Sequence, residues 1–470
     1  MAMEGKQIVK KSGIYLVGNL TSKIMSSLLL PVYAIYVSAA ELGTYDMVVT
    51  VCSVIIPFAF MCLWEPILRF VLKETSQEKI EGYISSTIFY IVIAFPVGLI
   101  GGTAVKYIFH ITYQYYFMAI LYVLLFGSAQ VFQSFTRAVK KNHIYVISGI
   151  SSTVVNFLGV FLLVCYLKHG VNGLLISCIL GQVSIILVDS FGTKIWKYIK
   201  RERLDFSLLK RMIVFSVPLI INQIVMWLID GFGKVVVNIY IGVTANGLYS
   251  FASKFSTLVT TLGSVVAMAL FEEAVLASNS EGFGEKYGKA ISNLNKLFYS
   301  LITIAFPAII VFYKIFAGQE YYASRYLVPV LLIYSIMMNF ATNLGSVFQV
   351  IDKTKYQFIT TLLGAIGSCG LSFALVFKFD IYGVVVGQLI GSIILVVSRI
   401  AFIFKYMPLK IDYKMIFTHL LGFLAVVLIG INQGIVVNII LFVIVCMIEL
   451  FVNRTYVVPF IDKAKKLIRR

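Results

Sequence analysis

Fourteen runs of apolar residues, each near the length of a bilayer-crossing helix, alternate with short polar segments along the whole chain. They fall at about 13–37, 44–67, 83–105, 115–135, 146–167, 171–191, 212–241, 247–271, 297–317, 326–350, 357–377, 383–404, 415–431 and 434–451. A helix rises about 1.5 Å per residue, so about 20 apolar residues cross the hydrocarbon core. The pattern predicts an all-α polytopic membrane protein of about 14 transmembrane helices. The even count puts both termini on the same side, and the first span reads as a retained helix, since no small-residue cleavage pattern follows a short apolar core.

Comparing the spans exposes a repeat. IYVSAAELGTY at 35–45 matches IYIGVTANGLY at 239–249, an offset of 204. Ala94–Phe95–Pro96 recurs at Ala305–Phe306–Pro307, Val131–Phe132–Gln133 at Val347–Phe348–Gln349, and Gly173 and Gly181 have the spacing of Gly383 and Gly391. Matches in one order within equivalent spans point to duplication. The expected organisation is a six-helix lobe over 1–193, a basic linker over 194–211, a second six-helix lobe over 212–404, and an additional helix pair with a basic tail over 405–470. Each repeat holds an even number of spans, so the halves share one orientation about a pseudo-two-fold axis along the membrane normal, an arrangement that places substrate between them.

Charge orients the chain. With the N-terminus in the cytoplasm, 31 of the 39 Lys and Arg residues fall on inner segments, and only Lys106, Lys168, Lys314, Arg325 and Lys378 on outer ends. Lys and Arg in short loops resist translocation, so both termini and the 194–211 loop are expected inside. The net charge of +18 is spread over many short loops and forms no nucleic-acid-binding stripe. Sixty per cent hydrophobic against 13% charged residues excludes an ordinary soluble domain. Nothing in the sequence has the form of a nucleotide loop, a nucleophile elbow or a metal-ligand cluster, so no enzyme, cofactor or metal site is expected. The six cysteines sit inside spans without Cys-x-x-Cys spacing and read as small apolar fillers.

The candidate chemistry lies in polar residues far from the loops, because a charge at a helix centre in hydrocarbon costs about 2.5–3.5 kcal/mol or more unless it faces protein or water. In the seventh span Gln223, Trp227, Asp230, Lys234 and Asn238 share one helical face. Asp230 and Lys234 have the acid-first i, i+4 order of a salt bridge, with Gly231 and Gly233 as points of bending. Asn19 and Lys23 in the first span, Asp46 in the second, and Lys254 in the eighth lie on equivalent helices. If these line a cavity between the halves, three lysines face it, partly offset by Asp230 and Asp46. Lys234 has a second reading as no more than Asp230's partner, and Lys254 as a residue reaching the outer interface. Glu65 and Arg69 form an i, i+4 pair at the inner end of the second span, with Arg69 also a substrate-contact candidate.

The basic lead, the opening KSGIYLVGNLTSKIMSSLLLPVYAIYVSAAELGTYD, the second span ending in EPILRF, the repeated IY-x-G-x-Y element and QVFQSFTRAVKKNHIY at the end of the fourth span together resemble the Wzx-type polysaccharide and O-antigen flippases. These belong to the multidrug/oligosaccharidyl-lipid/polysaccharide exporter superfamily. The resemblance implies two six-helix lobes alternating between inward and outward openings in a bacterial cytoplasmic (inner) membrane. It implies a lipid-linked oligosaccharide substrate on an undecaprenyl pyrophosphate carrier, contact with membrane lipids, a polysaccharide polymerase as candidate partner and H+ or Na+ as candidate coupling ions. A pyrophosphate needs cationic partners, which lysines supply as point charges; related flippases often carry arginines, whereas the deep cations here are lysines. Substrate-binding candidates are therefore Lys23, Lys234, Lys254, Arg69, Asn19 and Gln223, with Asp230 and Asp46 for coupling or salt bridging. Two other readings remain: an ion-coupled multidrug antiporter of the same superfamily, for which a cationic cavity is unfavourable, and a non-transporting membrane scaffold, which needs no polar stripes.

Overall fold

A computed structural model of the chain describes residues 28–110, 112–277, 282–351 and 353–454. These residues are mostly helical, with no strand among them. The helices are α1 (Leu29–Tyr36), α2 (Ala39–Ala59), α3 (Trp64–Lys73), α4 (Gln77–Ile108), α5 (Tyr116–Ala138), α6 (Asn142–Val160, prolonged by a π turn Phe161–Tyr166), α7 (Gly170–Thr193) and α8 (Phe206–Asp230). They continue with α9 (Phe232–Tyr240), α10 (Val243–Ala277), α11 (Phe283–Phe316), α12 (Gln319–Tyr322), α13 (Val328–Val350), α14 (Thr354–Ile403), α15 (Tyr413–Gly430) and α16 (Ile435–Val452). Among the described residues, eleven helices are long and apolar enough to cross a membrane, so the chain is a multi-pass membrane protein.

The difference from fourteen even spans has local causes. Most of the first expected span lies outside the described residues. The second stops early: Met61 and Cys62 take left-handed φ of 47° and 46°, and the chain restarts as α3. The seventh is broken at Gly231 into α8 and α9. In α14 the two expected spans follow one another through Asp380, whose φ of 50° and ψ of −137° interrupt the helix.

The chain divides into two compact units, Met1–Ser250 and Phe251–Arg470. Inside the first, α6 and α7 form a hairpin whose backbones approach through small residues. A Cβ on Gly173 would press on Leu163 and Val164, and one on Gly181 on Ser152. Inside the second, the two limbs of α14 meet in the same way, with Gly383 against Leu375 and Gly391 against Ser368. Small residues at these points gain close van der Waals contact where apolar burial offers no drive within a membrane. The repeat seen in the sequence is thus a repeated helical hairpin.

The linker is fastened to α4. Ser86 Oγ donates to Asp205 O and accepts from Asp205 N, both at 3.0 Å, while Ser85 Oγ donates to Tyr198 O and accepts from Lys200 N. Lys200 pairs with Glu81 at 2.9 Å and Arg203 with Glu78 at 2.6 Å. Asp205 then caps α8, accepting from the N–H groups of Ser207 and Leu208. In the second unit α15 and α16 pack on α11, with Phe306 and Phe423 edge to face at 5.9 Å and Asn453 Nδ2 donating to Ser300 Oγ at 3.0 Å.

Candidate functional site

The polar centre of the first unit starts from α2. Ser38 caps that helix and forms a capping box with Glu41, Ser38 N donating to Glu41 Oε2 at 2.9 Å and Glu41 N to Ser38 Oγ at 3.3 Å. This start sets Asp46 and Thr50 one turn apart on a face that meets α8 and α9. Trp227 Nε1 donates to Thr50 O at 2.9 Å. Lys234 Nζ lies 2.9 Å from Asp46 Oδ2 and 3.1 Å from Oδ1. Both side chains are largely removed from solvent, at 20% and 7% exposure, so removing either one strands its partner's charge.

Lys234 therefore finds its acid on another helix, which corrects the expected bridge to Asp230. The i, i+4 rule presumes a continuous helix, and here the helix ends at Asp230 and restarts after Gly231. Asp230 itself is exposed at the end of α8.

The two copies of the repeated motif lie against each other beside this centre. A Cβ on Gly43 would overlap the carbonyl of Val243 and crowd Gly247 N, and a Cβ on Gly247 would overlap the carbonyl of Ala39. The contact is reciprocal, since 39 and 43 in one copy answer to 243 and 247 in the other. Asn246 Nδ2 adds a bond to Gly43 O at 2.9 Å.

Between α2, α4 and α5 lies a cavity of about 950 Å³. Val51, Ile55, Val97, Ile120 and Leu124 give it an apolar wall, and Thr44, Met47 and Asn238 carry it to within a turn of Asp46 and Lys234. Two of its three tyrosines turn their hydroxyls onto backbone, Tyr90 to Ala59 O at 2.8 Å and Tyr116 to Gly102 O at 3.0 Å, and so spend them away from the space. Such a volume accepts an apolar chain, and the ion pair lies on the same helices as three of its lining residues, Thr44, Met47 and Asn238.

The other candidate residues are distributed more widely. Asn19 and Lys23 lie outside the described residues. Gln223 is exposed on α8. Lys254 is half-buried on α10, in the second unit. Arg69 is exposed and lies 4.7 Å over the Phe215 ring instead of pairing with Glu65; Phe215 packs on Phe70, over which Arg211 lies at 5.1 Å. In the nearby turn, the backbone N–H groups of Ser76 and Thr75 donate to Glu74, and with Lys79 and Arg211 close by they hold its carboxyl below the usual carboxylate range.

Among the buried charged residues that escaped the sequence reading, two occupy matching places in the duplicated hairpins. Asp189 on α7 is 0% exposed, and Arg399 near the end of α14, which the loop count assigns to an inner segment, is 5% exposed. The Arg399 guanidinium donates to Ala341 O, to Thr361 Oγ1 at 2.9 Å and to Thr360 Oγ1 at 3.4 Å, tying α13 to both limbs of α14. A signal was present: the two are 210 residues apart, the offset that relates Gly173 to Gly383 and Gly181 to Gly391.

Residues 8–271, more than half of the chain, match the profile of the family described as polysaccharide biosynthesis protein. The chain belongs to that family. No curated protein sequence matches it. Among solved structures, the lipid II flippase MurJ in an inward closed conformation superposes with a TM-score of 0.69 at 16% identity, covering 96% of this chain and 100% of that one. An inward-facing multidrug resistance MATE family transporter of the MOP superfamily gives 0.66 at 15% identity, over 86% and 95%. A MOP superfamily transporter from Pyrococcus furiosus, whose binding pocket is described as reversed in polarity, gives 0.51 at 14% identity, over 84% and 93%. At these identities the likeness is one of fold. Family membership ties the chain to polysaccharide biosynthesis, and its fold is the one shared by these flippase and transporter structures.

Proposed function

We propose that this chain flips undecaprenyl-pyrophosphate-linked oligosaccharide repeat units from the cytoplasmic to the outer leaflet by alternating access, for O-antigen, capsule or exopolysaccharide assembly. The observation that carries the reading, beside the family, is the buried Lys234–Asp46 pair on helices that also line the apolar cavity. An ammonium has three donors, and Asp46 engages at most two of them, which leaves one for an anionic oxygen. The cavity wall suits the isoprenoid part of such a carrier, and the lysine suits its phosphates. Lys23, Lys254, Arg69, Asn19 and Gln223 are proposed as further contacts, with Asp230 and Asp46 as their acidic counterparts. In this reading 1–193 and 212–404 act as the moving lobes, 194–211 as their cytoplasmic linker and 405–470 as an added helix pair and tail. Both termini lie in the cytoplasm of a bacterial inner membrane, a polysaccharide polymerase is the downstream partner, and H+ or Na+ drives the cycle.

Depleting the protein should lower surface glycan and accumulate lipid-linked repeat units in the inner leaflet. Lys234→Gln at normal expression should lose most of that glycan, because it keeps length and some hydrogen bonding but removes a charge worth several kcal/mol, about 4 at 4 Å with an effective dielectric of 20. Lys234→Arg should keep part of it. Undiminished glycan in Lys234→Gln cells would remove the lysine from the site, and undiminished glycan on depletion would remove the function. The MATE likeness favours a second reading, an ion-coupled multidrug antiporter, under which depletion would sensitise cells to cationic drugs and leave glycan untouched.

A further inference from the structure

Asp189 sits on α7 three residues from Gly192, where a Cβ would press on Ile144 of α6, and is wholly buried. Neither carboxylate oxygen receives a hydrogen bond. The Thr136 and Ser148 hydroxyls face it from α5 and α6, but each donates to a carbonyl of its own helix, Thr136 Oγ1 to Phe132 O and Ser148 Oγ to Tyr145 O, both at 2.9 Å. A hydroxyl carries one proton, so it can serve an ionised carboxylate only by abandoning that carbonyl. A neutral carboxyl has no such conflict, because its own O–H can donate to either hydroxyl oxygen while both keep their bonds.

No cation within ion-pair distance offsets Asp189 among the described residues. The helices and turn packed on α7 are α2, α5, α6 and Ile195–Lys197. Lys141 Nζ donates to Gly192 O at 3.1 Å and Thr193 O at 3.2 Å at the end of α7, and neither it nor Lys194 or Lys197 forms an ion pair with Asp189. Arg137 is engaged over the Tyr145 ring at 5.4 Å, and α2 brings no charged group within ion-pair reach. A bound metal cation would need several free oxygens, whereas the Phe132 and Tyr145 carbonyls already accept the two neighbouring hydroxyl protons. A buried, unpartnered carboxyl is normally neutral.

We infer that Asp189 is a proton-binding site, protonated in the buried arrangement and ionised when transport opens it to water, and that its proton is the coupling ion. The second half rests on the flippase reading, and the first does not. The second unit supplies the contrast, because at the equivalent position Arg399 has its donors engaged by Ala341, Thr360 and Thr361 and so acts as a fixed clamp. Asp189 is the member of the pair left free to exchange a proton.

The test is an infrared titration of the purified full chain in lipid nanodiscs. The wild type should retain a protonated-carboxyl C=O band at neutral pH, where exposed carboxyls with ordinary values of about 4 have ionised. Asp189→Asn should lack that band, and Asp189→Glu, which keeps an acid should Asn perturb the fold, should move it in frequency. A band that survives unmoved in both variants, or a wild type without one, overturns the site. For coupling, wild-type cells should assemble glycan at a rate that depends on external pH, and Asp189→Asn should abolish that dependence. If the infrared band belongs to Asp189 but the pH dependence persists in Asp189→Asn cells, the coupling role falls. If glycan does not depend on the protein at all, the flippase reading and the coupling role fail together, while the infrared arm still decides the proton site.

Discussion

In the first unit Arg203 reaches Glu78, Ser86 takes the N–H of Asp205, and Asp205 caps the helix that follows. In the second, Lys410 reaches Glu285 at 3.0 Å, Ser292 takes the N–H of Asp412 at 3.0 Å, and Asp412 caps α15 by accepting from Met415 N. The two sets lie 207 residues apart at Glu78 and Glu285, Arg203 and Lys410, and Asp205 and Asp412. The scaffold of the linker is therefore duplicated along with the helices, and α15 starts in the same way as α8, so the repeat reaches into a helix that the sequence comparison left outside it. At the buried position the halves part company, with an acid at 189 and a base at 399. Duplicated scaffold with divergent buried charge indicates where the two halves took on different work: one binds a proton, and the other locks three helical segments.

The largest effect should come from the point where the duplicated motifs meet. A side chain at Gly43 or Gly247 would be forced into backbone, which cannot turn aside as a flexible side chain can. Overpacking of a core typically costs about 1–3 kcal/mol and more when the backbone must move. Gly43→Val and Gly247→Val should both lose monodisperse protein in size-exclusion chromatography, and Gly101→Val, whose Cβ would meet nothing within 4 Å, should not. Wild-type yield and melting for Gly43→Val would mean that the close approach is dispensable.

Next is the divergent pair itself. Arg399→Met leaves the Ala341 carbonyl and the Thr361 hydroxyl without their donor, at about 1–3 kcal/mol for each buried group stranded. Asp189→Asn keeps a neutral side chain of the same shape whose N–H can donate to the same hydroxyl oxygens, so its melting temperature at neutral pH should stay near that of the wild type. Thermal unfolding in one detergent measures both. Equal losses would erase the distinction between clamp and proton site.

Much of this arrangement was legible in the sequence, because apolar runs of fixed length report membrane helices directly and the 204-residue offset reports the duplication. What periodicity cannot encode is which face meets which helix. Lys234 and Asp46 are 188 residues apart, and nothing local relates them once Gly231 breaks the helix that would have offered Asp230 instead. The cavity is a property of three helices that fail to fill the space between them, so it has no sequence signal. Asp189 and Arg399 were readable only by carrying the 210-residue offset of the glycines on to the polar residues that follow them.

The smallest expected effects separate hydrogen bonding from charge in the duplicated linker. Ser86 makes two bonds to Asp205 in a buried setting, so Ser86→Ala should cost about 1–2 kcal/mol, while Ser292 gives its proton to Gly288 O and holds Asp412 by one bond, so Ser292→Ala should cost about half of that. The ion pairs beside them are open to solvent, with Arg203 and Glu78 at 41% and 67% exposure and Lys410 and Glu285 at 68% and 49%. Exposed pairs contribute about 0–1 kcal/mol and are screened by salt. Arg203→Met and Lys410→Met should therefore shift melting by less than either serine change, and the remaining shift should vanish in high salt. If the charge changes prove the costlier in both halves, the linkers are held electrostatically, and the shared serine bonds are a by-product of helix capping and not the reason the two halves kept the same design.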